Sequence, residues 1–441
     1  MAKPIKQLNK EKTVLIIIFS LLTVIQFLVA NTLQYHPNYD AESVFVGAIG
    51  FATTGTLPNP SYFATFGNQW GILLFLSALF GITQFFTQNF FMVYAGVLIV
   101  IVNTGLYALY NLVKMRFSQK TAFIVLAIVL VYPPIYVFPS VIYTDVASIA
   151  MPIVALNLFY RLTKCETPRK RVILSILLGL TLAIGTAFKI TVLIVFIAMV
   201  MLTWAHKERL KIYKGLLIAS AVIAVFHAAL TINYRSHISS ELRERHQTPW
   251  FQWVVMGLED EGLADNMWGG TNVGHFYRTT FYLETFAERE AFIREEFTRL
   301  TANRTVSDWS RLFVHKYIVL HYRADFAPGG TIVFSDTDTG FKAWFRDVRF
   351  TPLYIWYHRA IIYTIILLAY ISIFFKKRDF VASLALLGMY MFFIFLCEVR
   401  PRLLTNQFFI FFYLAAISID GIICKLKGVK AELKNIDNLH E

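Results

Sequence analysis

The sequence predicts an all-α polytopic membrane protein with about ten transmembrane helices. Three observations carry this expectation. Hydrophobic residues make up 57% of the 441 positions against 16% charged, and mean hydropathy is +0.56; a soluble chain this long needs more charge to cover its surface. The apolar residues come in blocks of about 17–22, the length that crosses a bilayer core. The formal net charge of +13 is not a nucleic-acid signature, because Lys and Arg gather in short runs between the blocks, as in cytoplasmic turns.

Taken in order, Lys3, Lys6, Lys10 and Lys12 precede a first span at Thr13–Leu33, read as an uncleaved anchor because no small-residue cleavage site follows. Spans follow at Phe91–Val113, Thr121–Pro139 and Asp145–Leu162, separated by the basic residues Lys114, Arg116 and Lys120 and by the break 140–144. After Lys164, Arg169, Lys170 and Arg171, residues 172–204 are long enough for two spans turning near Lys189; Gly215–Asn233 is the next. The last three spans are Arg359–Phe375, Phe380–Cys397 and Leu403–Cys424. Gly67–Ile82 is apolar but short. Counting it as a span would put the basic runs 114–120 and 164–171 outside, against the positive-inside rule, so it is read as an interfacial or re-entrant helix. The expected divisions are an N-terminal membrane module, 1–233, containing the external loop 34–90; an external segment, 234–357; and a C-terminal module, 358–441, with a cytoplasmic tail. Both termini are then cytoplasmic. Cys165, Cys397 and Cys424 are too few and too dispersed for a disulfide framework or a metal site.

This topology gathers particular polar residues on one face. Residues 34–90 hold no Lys or Arg, yet Tyr35-His36-Pro37-Asn38-Tyr39-Asp40-Ala41-Glu42-Ser43 carries two carboxylates. Asp40 either caps a helix over Ala41–Ala52 or serves as a general base. Asp145, in Tyr143-Thr144-Asp145, suits a helix N-terminus electrostatically; with Asp40 and Glu42 it also forms a set of external acids able to orient an acceptor or bind a divalent cation, and spacing leaves both open. Lys189 either snorkels to the interface or waits for a phosphate. In Glu398-Val399-Arg400-Pro401-Arg402 the arginines suit bidentate phosphate contact, or pair with Glu398. Six of the eight Trp lie in 234–357 (Trp250, Trp253, Trp268, Trp309, Trp344, Trp356), fitting an interface belt or apolar sugar faces. Residues 269–274 are glycine-rich but lack a P-loop Lys-Ser/Thr and receive no phosphate role. Residues 285–322 alternate charged and apolar positions at helical spacing and are expected as surface helices.

With these residues placed, the chain resembles the GT-C superfamily of membrane glycosyltransferases, particularly family-39-like members related to protein O-mannosyltransferases. Asp40 falls where that family keeps its first-loop catalytic acid. Phe66-Gly67-Asn68-Gln69-Trp70-Gly71 resembles the start of its juxtamembrane helix, Tyr143-Thr144-Asp145 its second-loop acid, and Glu398–Arg402 its late acidic-Arg element, with Leu403 in a place often held by Tyr. The resemblance implies transfer of a hexose, with inversion, from a polyprenyl-phosphate sugar to an extracytoplasmic glycan acceptor such as a cell-wall polysaccharide or teichoic acid. Asp40, Glu42 and Asp145 would then be catalytic, Lys189, Arg400 and Arg402 would bind the donor phosphate, and His36, Asn68, Gln69, Tyr143 and Glu398 would touch sugar. No metal ligands and no nucleic-acid partner are expected; membrane lipid is. A transporter or flippase of lipid-linked saccharide is the alternative, although no internal repeat is evident and the charges lie at span ends.

The topology is tested with single cysteines placed after removal of the three native ones. Asn59→Cys and Ser335→Cys should label from outside and Ser118→Cys only after permeabilisation. Labelling of Ser118→Cys in intact cells would turn Gly67–Ile82 into a span and invert everything downstream.

Overall fold

The computed structural model describes residues 5–34, 37, 39–206, 208–258, 282–321, 338–348, 351–397 and 399–440. Among them every regular element is helical, the solution that satisfies backbone groups within one segment where water is absent. In chain order the helices are α1 (Ile5–Leu33), α2 (Tyr39–Thr54), α3 (Pro60–Thr65), α4 (Trp70–Thr83), α5 (Phe90–Arg116), α6 (Gln119–Leu130), α7 (Pro134–Val137), α8 (Thr144–Ala147), α9 (Met151–Thr163), α10 (Pro168–Phe188), α11 (Leu193–Thr203) and α12 (Arg209–His237). Then come α13 (Ser240–His246), α14 (Gln252–Met256), α15 (Phe286–Ala302), α16 (Val306–His321), α17 (Gly340–Val348), α18 (Pro352–Ile371), α19 (Phe380–Met391) and α20 (Phe408–His440).

Seven segments are long and apolar enough to cross a membrane: Lys10–Leu33, Phe90–Arg116, Thr144–Thr163, Pro168–Phe188, Arg209–His237, Pro352–Phe374 and Arg402–Leu426. An eighth, Gln119–Leu130 with Pro134–Ser140, is bent by 71°; Pro133 and Pro134 stand at the bend, where a ring replaces the N–H that would continue the ladder. The remaining expected spans, near 190–204 and 380–397, are the helices Ile190–Thr203 and Phe380–Leu396, in the same 10–17-residue class as Gly67–Thr83. At 1.5 Å per residue such helices reach at most about 25 Å, short of a core of about 30 Å.

Local sequence sets the ends. Asn89, Ser118 and Asp379 accept hydrogen bonds from the N–H groups of Met92, Thr121 and Ala382 at 3.1, 3.0 and 3.1 Å, satisfying donors a helix start leaves orphaned. The long apolar stretch 172–204 breaks at Lys189, as expected. Lys189 takes extended backbone angles (φ −150°, ψ 109°) between α10 and the next turn.

The stretch before α5, expected to be external, is built on two packed helices, α2 and α4, with the short α3 between them. α2 and α4 lie against each other, with Phe45 edge-on to Phe80 at 5.4 Å. α2 begins at Tyr39, so Asp40 sits inside its first turn rather than capping it. α4 is held over the end of α10 and beside α12: Trp70 Nε1 donates to Asn233 Oδ1 at 3.0 Å, and Tyr234 donates to the Phe63 carbonyl at 3.3 Å. A Cβ built on Gly71 would stand 2.4 Å from the Ala187 carbonyl oxygen, so only glycine permits this approach.

One expectation about 285–322 needs correction. α15 is a surface helix, opened by a Thr285/Glu288 capping box. α16 instead buries Leu312, Lys316, Val319 and Leu320; Lys316 is fully buried and donates to the Gly257 carbonyl at 3.0 Å. A Lys within a charged-apolar alternation reads as exposed until a neighbouring carbonyl is placed above it. Trp250, Trp344 and Trp356 are exposed. His36, Trp268, the glycine-rich 269–274, Ser335 and Glu398 lie outside the described residues.

Gly71→Ala forces α4 off the Ala187 carbonyl and should cost about 1–3 kcal/mol, the usual penalty of overpacking, read as a lowered thermal unfolding midpoint. Gly81→Ala, with nothing within 4 Å of the new methyl, should leave the midpoint unchanged or raise it. Equal behaviour of the two variants would refute the close approach.

Candidate functional site

Five of the residues singled out in sequence meet at one end of the bundle, delivered by four separate segments. Asp40 comes from the first turn of α2. Tyr143, in extended backbone just before α8, donates its hydroxyl to Asp40 Oδ2 at 3.3 Å. The Arg402 guanidinium lies over the Tyr143 ring, 4.5 Å from its centroid, and Arg402 Nε stands 3.9 Å from Asp145 Oδ2. Asp145 Oδ1 receives Lys189 Nζ at 2.8 Å. The run is therefore Asp40, Tyr143, Arg402, Asp145, Lys189.

Burial makes the arrangement consequential. The Asp145 side chain is 1% exposed, with Lys189 at 19% and Arg402 at 17%. Unit charges 4 Å apart attract by about 1 kcal/mol in water but about 4 kcal/mol at an effective dielectric near 20. A carboxylate this buried must be compensated, since an unpaired one costs several kcal/mol. Two cations, Lys189 and Arg402, meet the one buried anion of Asp145. Arg400 stands two residues before Arg402, half-buried, in the extended residue that opens the turn Pro401–Gln407. The loop carrying Arg402 is tied to the Lys189 turn by a hydrogen bond from Asn406 Nδ2 to Thr191 Oγ1 at 2.7 Å. Asn406 and Thr191 were not singled out in sequence.

Asp145 was expected among the acids facing an acceptor; its carboxylate is turned to the two basic residues instead. Among the described residues no three His, Cys, Asp or Glu are grouped to hold a metal ion. Glu42 is exposed and Asp40 half-buried; two residues apart in α2 they point to different sides of the helix, and Glu42 takes no part in the Asp145 cluster.

Beside Lys189 opens a cavity of about 410 Å³ whose wall includes Asn68, Gln69, Trp70, Lys189, His227 and Tyr234. Gln69 is 7% exposed, and its Oε1 is buried without a hydrogen-bond partner; a buried acceptor left open costs free energy until something donates to it. His227 shares a 2.7 Å hydrogen bond with Thr186 Oγ1. The sequence reading passed over His227, although an imidazole in the middle of the apolar Arg209–His237 is itself a signal.

A family described as conserved hypothetical integral membrane protein matches residues 3–266. No curated protein matches in sequence. Among solved structures, the chain is similar to the archaeal oligosaccharyltransferase AglB from Archaeoglobus fulgidus in complex with an inhibitory peptide and a dolichol-phosphate (13% identity, TM-score 0.49, 95% of this chain and 52% of that one). It is also similar to ArnT from Cupriavidus metallidurans bound to undecaprenyl phosphate (10% identity, TM-score 0.37, 92% of this chain and 77% of that one). The chain thus spans about half the length of the oligosaccharyltransferase. Likeness this loose carries no conclusion about activity or ligands.

Asp145→Asn should destabilise the protein by about 3–5 kcal/mol, because it strands two partly buried cations. Adding Lys189→Met should recover part of that loss, so that the double variant costs less than the two single changes together. Thermal unfolding in one detergent checks this; strict additivity would mean the pair is not coupled.

Proposed function

The chain belongs to the conserved hypothetical integral membrane protein family, whose description names no chemistry, and we propose that it is a GT-C-type membrane glycosyltransferase using a polyprenyl-phosphate hexose. The observation that carries the reading is the connected run of Asp40, Tyr143, Arg402, Asp145 and Lys189, whose last member borders a cavity also lined by Asn68, Gln69 and His227.

In this reading the donor is a phosphodiester with one negative charge, which Lys189 and Arg402 hold beside Asp145. An acceptor hydroxyl oxygen attacks the anomeric carbon while the bond from that carbon to the phosphate oxygen breaks on the opposite face, so configuration inverts. The hydroxyl proton passes to Asp40. Tyr143 occupies Asp40 Oδ2 and leaves Oδ1 for the proton. The polyprenyl phosphate departs with the bonding pair, and its second negative charge develops against Lys189 and Arg402, where fixed cations stabilise the transition state more than the ground state. Asp145 holds both cations in place, and Arg400 adds charge at the phosphate. Asn68 and the open Gln69 Oε1 offer hydrogen bonds to sugar hydroxyls. Glu42 orients the acceptor; His36 and Glu398 complete the sugar contacts. The acceptor is an extracytoplasmic glycan, and the site faces outward with both termini cytoplasmic, as the basic runs require.

The test compares envelope glycans by mass spectrometry in cells lacking the protein and in the same cells carrying wild type or Asp40→Asn. Wild type should restore a hexose-bearing glycan. Asp40→Asn keeps the side-chain shape but cannot take the proton, so transfer should fall by about 10²–10⁴-fold with unchanged membrane abundance and detergent monodispersity. Restoration by Asp40→Asn at the wild-type rate would remove the base. Glycans unchanged by loss of the protein would remove the glycosyltransferase reading, and accumulation of the donor on the inner leaflet instead would favour a flippase.

A further inference from the structure

The opposite end of the bundle holds a second charged centre that the proposed reaction does not use. The span Thr144–Thr163 carries Asp145 near its start and Tyr160 near its end, about 22 Å apart at helical rise. Around Tyr160, the buried Asp379 accepts hydroxyl hydrogen bonds from Tyr160 and Tyr413, both at 2.5 Å, and the Ala382 N–H at 3.1 Å. The Arg116 guanidinium stacks over the Tyr160 ring at 4.7 Å and reaches within 3.9 Å of Asp379. Arg116, Tyr160 and Asp379 border a cavity of about 380 Å³ whose wall also includes Lys164, His206 and Arg378.

The charge there is unbalanced. Three permanent cations, Arg116, Lys164 and Arg378, face the single carboxylate of Asp379. Three other acids at this end are engaged elsewhere, Glu11 with Lys114, Asp420 with Lys377 and Glu208 with Lys211, while Glu166, two residues after Lys164, is exposed and does not line the cavity. Among the described residues no carboxylate pairs with Lys164 or Arg378.

The cavity is also amphiphilic. Leu202 and Phe380 line both it and a second cavity of about 390 Å³. That second cavity is walled mainly by apolar side chains, among them Leu384, Leu386, Leu387 and Leu414. A cationic recess therefore adjoins an apolar slot along α19.

We propose that this pair of cavities binds one anionic phospholipid, its phosphodiester in the recess formed by Arg116, Lys164 and Arg378 and an acyl chain in the slot along α19. The recess lies among the basic runs 114–120, 164–171 and 376–378, the expected cytoplasmic side, where anionic lipid is concentrated and each nearby Lys or Arg adds attraction. A free phosphate would satisfy the recess but leave the slot unused; both together specify a lipid. The inference stands whether or not the chain transfers sugar.

The test uses the full chain in neutral detergent, with bound lipid counted by native mass spectrometry after titration with phosphatidylglycerol, phosphatidylcholine or inorganic phosphate. Wild type should retain phosphatidylglycerol in preference to phosphatidylcholine. Lys164→Gln combined with Arg378→Gln changes two residues at the rim and spares the Asp379 hydrogen bonds. It should weaken phosphatidylglycerol retention by about ten- to a hundredfold, the usual worth of charge-assisted phosphate contacts. Leu387→Trp, at an exposed wall position, should weaken phosphatidylglycerol retention by blocking the slot. Equal retention of the two lipids, wild-type retention in the double variant, or displacement of phosphatidylglycerol by inorganic phosphate at matched concentration would each overturn the proposal.

Discussion

The site depends on one buried carboxylate and the two cations that share it. Asp145 is closed off from solvent, and removing an ionised carboxylate from water is tolerable only when opposite charge is brought to it. Lys189 and Arg402 supply that charge from segments more than two hundred residues apart. Satisfying Asp145 thus brings the break after α10 and the turn before α20 to the start of α8. Arg402, once there, covers the Tyr143 ring, and Tyr143 reaches Asp40. A stability requirement and a functional geometry coincide in the same contacts.

The break at Lys189 shows how the surrounding packing serves this arrangement. An unbroken helix through 172–204 would keep every backbone bond internal, which is the cheaper solution in lipid. The chain instead leaves helical geometry at Lys189 and packs α4 over the opening, with Gly71 against the Ala187 carbonyl. Irregular backbone at the end of a span is tolerated where protein buries it or where it lines a cavity; here it does both, since Lys189 also borders the space walled by Asn68, Gln69 and His227.

The two ends of the span Thr144–Thr163 solve the same electrostatic problem differently. At one end Asp145 is met by full charges, a Lys and an Arg. At the other, Asp379 is met by the hydroxyls of Tyr160 and Tyr413 and by a backbone amide, with Arg116 farther away. Hydroxyl donors satisfy a carboxylate without neutralising it, so the cations around that cavity keep charge to offer an outside anion.

Sequence alone determined the all-α membrane architecture and the sidedness argument, because apolar block length and the placement of Lys and Arg are one-dimensional properties read by the bilayer itself. It also determined the candidate set of Asp40, Tyr143, Asp145, Lys189 and Arg402, because polar groups at the ends of apolar spans are costly enough to stand out. Tertiary structure alone decided how they pair: Asp145 with Lys189 and Arg402, Asp40 inside a helical turn rather than capping it, and Lys316 buried on a helix that reads as exposed. It alone brought in His227, Thr191 and Asn406, whose partners lie 41 and 215 positions away along the chain. The reason is that local pattern reports the cost of placing a group in lipid, whereas the partner that offsets the cost is chosen by packing between segments far apart in sequence.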